Sequence, residues 1–160
     1  MEFANLSGKT FAIMVASGFH EPGFILIQRA MLSAGAKLKI ISREAGLTNA
    51  WNNNGWGMSY PADSTLSTAL AIDYDGLIVP PGKRHVDTLH NEAHAKRVLR
   101  AFLREKMPVL LQGDAVTLLR HVDGIEDWPR AVLTEKDISP VIHKCLVCLL
   151  YTSDAADDRV

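Results

Sequence analysis

FAIMVASGFHEPGF, residues 11–24, passes from buried strand to sharp turn to helix start. Phe11 to Ala16 shows no polar alternation and is too short for a helix, which points to a strand apolar on both faces. Ser17-Gly18 ends it. Pro22 suits a first helical turn, where its missing N–H leaves no bond unmade, and FILIQRAMLSAG continues at helical spacing to Gly35, a natural C-cap. This helix is apolar round most of its circumference, so it is either deeply covered or one half of a subunit contact.

The same grammar recurs outward. KLKII (Lys37 to Ile41) reads as a second strand and DGLIVP (Asp75 to Pro80) as a third, closed by Pro80-Pro81-Gly82. Between them, Glu44 to Ser67 carries three consecutive asparagines and two tryptophans and reads as a loop or short hairpin. From Asn91 to Lys106, Ala95, Val98, Leu99, Phe102 and Leu103 recur at steps of three and four, with charges opposite, which predicts an amphipathic helix. PVLLQ (Pro108 to Gln112) is a further buried strand, running through Gly113-Asp114 into a short helix ending near Leu119. Trp128-Pro129 and Val132-Leu133 open a next strand leading to Thr134-Glu135-Lys136.

Buried strands alternating with helices make a mainly parallel sheet covered on both sides, a three-layer α/β sandwich of the flavodoxin-like kind. Sites in such folds lie beyond the carboxyl ends of the strands. Three loops therefore carry the functional reading: Ser17 to Glu21, Pro80 to His85, and Gln112 to Ala115.

Composition narrows the classes of function. At 160 residues and 48% hydrophobic, the chain suits one domain with its own core. A net charge of -1 offers no basic footprint for nucleic acid. No apolar run is long enough to span a bilayer, and the opening MEFANLSGKT does not read as a secretion signal. Two cysteines argue against a disulfide framework, so the expected setting is the reducing cytoplasm.

Five motifs occur in a particular order: Gly-Phe-x-Glu-Pro after the first strand, the Trp-rich loop, Asp-x-Asp-Gly-Leu-Ile-Val-Pro, Val-Asp-Thr-Leu before an amphipathic helix, and Pro-Val before the last buried strand. Over about residues 9 to 120 the chain thereby resembles the DJ-1/PfpI superfamily, with its class I glutamine amidotransferase-like fold. Its members include PfpI-like intracellular proteases, glyoxalases and deglycases. The resemblance implies a cysteine on a strained turn, a partner glutamate, and a Pro-Gly-Gly loop whose N–H groups meet a developing oxyanion. Here Gly113 stands at the cysteine position, Asp114 at the histidine position, and His20 at the glutamate position, with Glu21 one residue later. Pro81 replaces the first glycine of the loop and has no N–H, whereas Gly82 keeps its own. Gln112-Gly113-Asp114-Ala115 is similar to the turn in the C-terminal domain of large-subunit catalases, a branch of the superfamily without the cysteine. Loss of cysteine-dependent activity, no cofactor, and a homodimer are what the resemblance implies.

Several residues admit two readings. Asp114 is either a helix cap or a general base facing His20, and the cap preference of aspartate favours the first. His20, Glu21 and Asp114 would together make an acid–base set acting on a small carbonyl or amide without a covalent intermediate. Otherwise His20 and Glu21 are a loop residue and a first-turn acid. Gly82, Lys83, Trp51 and Trp56 are the ligand-binding candidates, with Tyr60 as a possible third aromatic wall; the aromatics serve equally as a lid or subunit contact. Lys83, Arg84 and His85 read as a solvated basic corner before an anion site. His90 and His94, four apart, are read on one helical face, but a solvated helix start is favoured over zinc, for want of a third ligand.

Cys145-Leu-Val-Cys148 matches a redox spacing. However, CLLYTSDAADD (Cys148 to Asp158) looks like a translated sequencing-library adapter. The expected domain is therefore 9–147, cut short of the superfamily's usual end, with 148–160 a non-native tail.

Overall fold

A computed structural model describes residues 7–105, 107–121 and 132–133. In chain order its elements are β1 (Thr10–Val15), β2 (Phe19–His20), α1 (Glu21–Ser33), β3 (Lys37–Ser42), β4 (Leu47–Asn52), β5 (Gly55–Pro61) and β6 (Ser64–Thr65). They continue with β7 (Gly76–Val79), α2 (Lys83–His90), α3 (Ala93–Arg104), β8 (Val109–Leu111), a 3-10 helix over Gly113–His121, and β9 (Val132–Leu133). The main sheet runs β6-β3-β1-β7-β8-β9 with every neighbouring pair parallel, as the doubly apolar strand runs require. Val132-Leu133 is indeed a strand, paired with β8. Trp128-Pro129, Thr134-Glu135-Lys136, Cys145 and the segment from Cys148 lie outside the described residues.

The period of two along β1 builds both cores. Phe11, Ile13 and Val15 face one side and pack with Phe24, Ile27 and Met31 of α1. Ala12, Met14 and Ala16 face the other, under Val86 and Leu89 of α2 and Val98, Leu99, Phe102 and Leu103 of α3. The expected stripe of α3 is therefore its buried face. Each large apolar side chain so buried stabilises the fold by roughly 1.5–3 kcal/mol.

Helix α1 starts with Pro22 in its first turn and ends before Gly35, at φ +90°, as anticipated. It is only partly covered: Leu26 is 43% and Leu32 56% exposed. Of the two readings of the Trp-rich segment, the structure shows the hairpin. β4 and β5 form an antiparallel hairpin across Asn53-Asn54, with Asn53 at φ +44°, a conformation asparagine tolerates, and β2 joins it as a small second sheet. The stretch between the Pro-Pro-Gly turn and α3 also holds a separate helix, α2, built on Val86 and Leu89 three residues apart.

Candidate functional site

The ends of β1, β7 and β8 converge, and glycines make the convergence possible. Gly82 has φ +134°, and a Cβ there would lie 2.7 Å from the His20 nitrogen, so only glycine fits where the two loops touch. That contact is held by the His20 N–H, which donates to the Pro81 carbonyl at 2.8 Å. Gly113 follows β8 at φ +56°, a left-handed turn that brings the chain directly into the 3-10 helix. Between these loops and the start of α1 lies a cleft of about 520 Å³. His20, Pro22 and Leu26 form one wall; Pro81 to Gly82 and Gln112 to Asp114 form the other.

The Asp114 carboxylate crosses between loops. Its Oδ1 accepts the Gly82 N–H at 3.0 Å, whereas a cap was expected on its own helix. The free amide expected at Gly82 is therefore already bonded. A carboxylate on a backbone N–H makes a charge-assisted bond, stronger than a neutral one, and it fills the donor that an oxyanion would need.

His20 caps α1. Its Nδ1 accepts the Gly23 N–H at 3.3 Å, which leaves the proton on Nε2, 3.0 Å from Asn53 Oδ1. With both ring nitrogens bonded, the imidazole has no free lone pair with which to act as a base. Glu21 turns away from the cleft. It is buried, and its Oε2 accepts the Met58 N–H at 2.9 Å and the Tyr60 hydroxyl at 3.2 Å, tying α1 to β5. The set of His20, Glu21 and Asp114 is thus not assembled: two of the three share the cleft, and Glu21 belongs to the hairpin. Tyr60, ringed by Phe19 and Phe24, is no ligand wall; burial first, and then the Glu21 charge and hydrogen bond, push its phenol pKa above 10.0.

A family model matches residues 9–126, and its description is the DJ-1/PfpI family. The chain belongs to the DJ-1/PfpI family. Catalase HPII of Mycobacterium avium is 26% identical over 122 residues, covering 76% of this chain and 17% of that protein. Solved structures agree on the fold. A two-domain protein of Anabaena variabilis containing DJ-1/ThiJ/PfpI-like and ferritin-like domains matches with a TM-score of 0.65 at 19% identity, over 72% of this chain and 32% of that one. The oxidized DJ-1 of Toxoplasma gondii matches with a TM-score of 0.63 at 17% identity, over 72% of this chain and 62% of that one. Drosophila melanogaster DJ-1beta matches with a TM-score of 0.62 at 18% identity, over 71% and 60%. In each case this chain spans less than two thirds of its relative's length.

The remaining residues around this DJ-1/PfpI site were harder to foresee. His85 is not part of a solvated corner; it is completely buried at the first turn of α2. Its Nδ1 accepts the Ala16 N–H at 3.3 Å and its Nε2 donates to the Pro80 carbonyl at 2.5 Å, so one imidazole ties the ends of β1 and β7. Burial pulls its pKa down to about 4, against smaller raising effects from Pro80 and Asp114. Arg84 is drawn to the hairpin instead of holding an anion: its guanidinium lies 4.4 Å above the Trp51 ring and 5.6 Å from Trp56, and the two indoles meet edge to face. Trp51, Trp56 and the exposed Lys83 do not line the cleft. His90 ends α2 and bonds Thr117, while His94 opens α3, so the two histidines do not share a helix face. Among the described residues no cluster of three His, Cys, Asp or Glu side chains could hold a metal, and no helix is long and apolar enough to cross a membrane.

Proposed function

We propose that this DJ-1/PfpI domain works without the family's cysteine chemistry, as a binding module whose ligand site is the cleft at the carboxyl edge of the sheet. The observation that carries this reading is the elbow after β8. Gly113 holds the left-handed turn at φ +56° and offers no nucleophile, and next to it Asp114 occupies the Gly82 N–H. Pro81 offers no second donor. The likeness to a stretch of Catalase HPII supports a branch that has kept the fold as an accessory domain. A reducing cytoplasmic setting fits the composition.

The test is turnover by the purified full chain with methylglyoxal and with small amides. The expected result is no rate above background. Turnover abolished by His20→Ala or Asp114→Asn with an unchanged melting temperature would establish the enzyme reading instead, reduced to those two residues because Glu21 faces the hairpin.

A homodimer is a second element of the proposal, favoured by Leu26 and Leu32 on the outer face of α1 and by exposed Trp56 and Met58 on edge strand β5. Sedimentation at micromolar concentration should give twice the chain mass. Leu32→Glu should halve it, and a monomeric wild type would end this part of the reading.

A further inference from the structure

Gln112 is the residue at this site whose chemistry is unspent. It follows β8 directly, and its backbone is fully engaged: its N–H donates to the Val79 carbonyl at 3.1 Å and its carbonyl accepts the Ala115 N–H at 3.0 Å. The side chain is the opposite case. The residue is 1% exposed, yet neither Nε2 nor Oε1 has a hydrogen-bond partner. A buried amide left unpaired costs about 1–3 kcal/mol for each group, so native structures rarely tolerate one without a reason.

Its direction follows from the strand. Leu110 packs in the α1-side core with Phe24 and Ile27, and the period of two sends the Gln112 side chain to that same face. That is the face on which the cleft opens, with Gln112 in its wall. The rest of the wall selects further. Pro22, Leu26 and Pro81 are apolar, the His20 Nδ1 is taken up by the Gly23 N–H, and the exposed Asp114 carboxylate at the rim repels anions.

We propose that the cleft binds a small, uncharged, largely apolar molecule whose polar end is a carboxamide or lactam, the paired donor and acceptor that completes the Gln112 side-chain amide. Two amides meeting edge to edge satisfy Nε2 and Oε1 together, which a carboxylate, having no donor, does not. The inference rests on the binding-module reading and narrows it to a ligand class.

Isosteric probes test it on the full chain: benzamide and δ-valerolactam against benzoate, titrated by ligand-observed NMR and by thermal shift. Benzamide and the lactam should bind, and benzoate at least about tenfold more weakly. Gln112→Leu should lose about tenfold or more in benzamide affinity while its melting temperature stays level or rises, because an unpaired buried amide has been removed. Gln112→Glu, of nearly equal size, should lose benzamide as well. Benzoate binding as tightly as benzamide, benzamide binding unchanged in Gln112→Leu, or no binding of either amide probe would each overturn the ligand class. Turnover is measured separately, so a non-catalytic domain with the wrong ligand class is distinguishable from an enzyme.

Discussion

The buried imidazole of His85 should make the stability of this domain fall between neutral and mildly acid pH. Unfolded, the ring titrates at its ordinary value of 6.5; folded, burial holds it down to about 4. Between those values the unfolded chain binds the extra proton, so acid favours unfolding. His85 thus contributes stability that is fully present above about pH 6.5 and is lost as pH falls towards about 4. At about 1.36 kcal/mol per pH unit, that interval amounts to roughly 3 kcal/mol, most of it gone by about pH 4.5. The structural reason is specific: a proton on Nδ1 would remove the acceptor of the Ala16 N–H and place a charge where the ring is 0% exposed. Urea titrations at a series of pH values, for wild type and His85→Gln, isolate the effect, because the carboxylates contribute equally to both. The wild-type curve should fall more steeply by most of that amount. Equal slopes in the two proteins, or a His85 ring proton that titrates near pH 6.5 by NMR, would refute the reasoning.

Reinstating the thiol should not reinstate chemistry. Gly113→Cys forces a side chain onto φ +56° with its Cβ 3.1 Å from that of Pro81, so it should cost about 1–2 kcal/mol by chemical denaturation and yield no methylglyoxal turnover. Measurable cysteine-dependent turnover would contradict the description of the blocked donor at Gly82. Phe102→Ala should destabilise by about 3–5 kcal/mol, since the ring is wholly buried under the sheet; a loss below about 1 kcal/mol would place it outside the core. Glu21→Gln should lower the Tyr60 ionisation seen by ultraviolet titration, while leaving it above 10.0 because burial is the larger cause. It should also speed amide exchange at Met58, whose N–H loses a charged acceptor; no change at either position would separate Glu21 from the hairpin.

The strands were legible because a doubly buried parallel strand leaves a run with no polar break, and FAIMVA, GLIV and VLL are such runs. Helix α3 was legible because its apolar residues return at helical spacing. Gly113 and Gly82 could be placed from motif order alone. Helix α2 was concealed by its length, with only Val86 and Leu89 to mark a face and His85 reading as polar. The β4–β5 hairpin was half legible, because Asn-Asn-Asn-Gly between two aromatic-bearing runs suits a loop or a hairpin alike, but the pairing of β2 with β4 left no local signal.

Where each polar side chain spends its hydrogen bonds is a different kind of fact. Asp114 and Gly82 are 32 residues apart, Glu21 and Met58 are 37 apart, and His85 and Ala16 are 69 apart. Local sequence sets backbone periodicity and turn chemistry, so it determined by itself the layered sheet, the three converging loops and the absence of a thiol at Gly113. Partner choice depends on which chain ends the folded sheet brings within 3 Å or so of each other. Only the tertiary structure decided that Asp114 fills the Gly82 donor, that Glu21 serves the hairpin, and that the Gln112 amide is left without a partner.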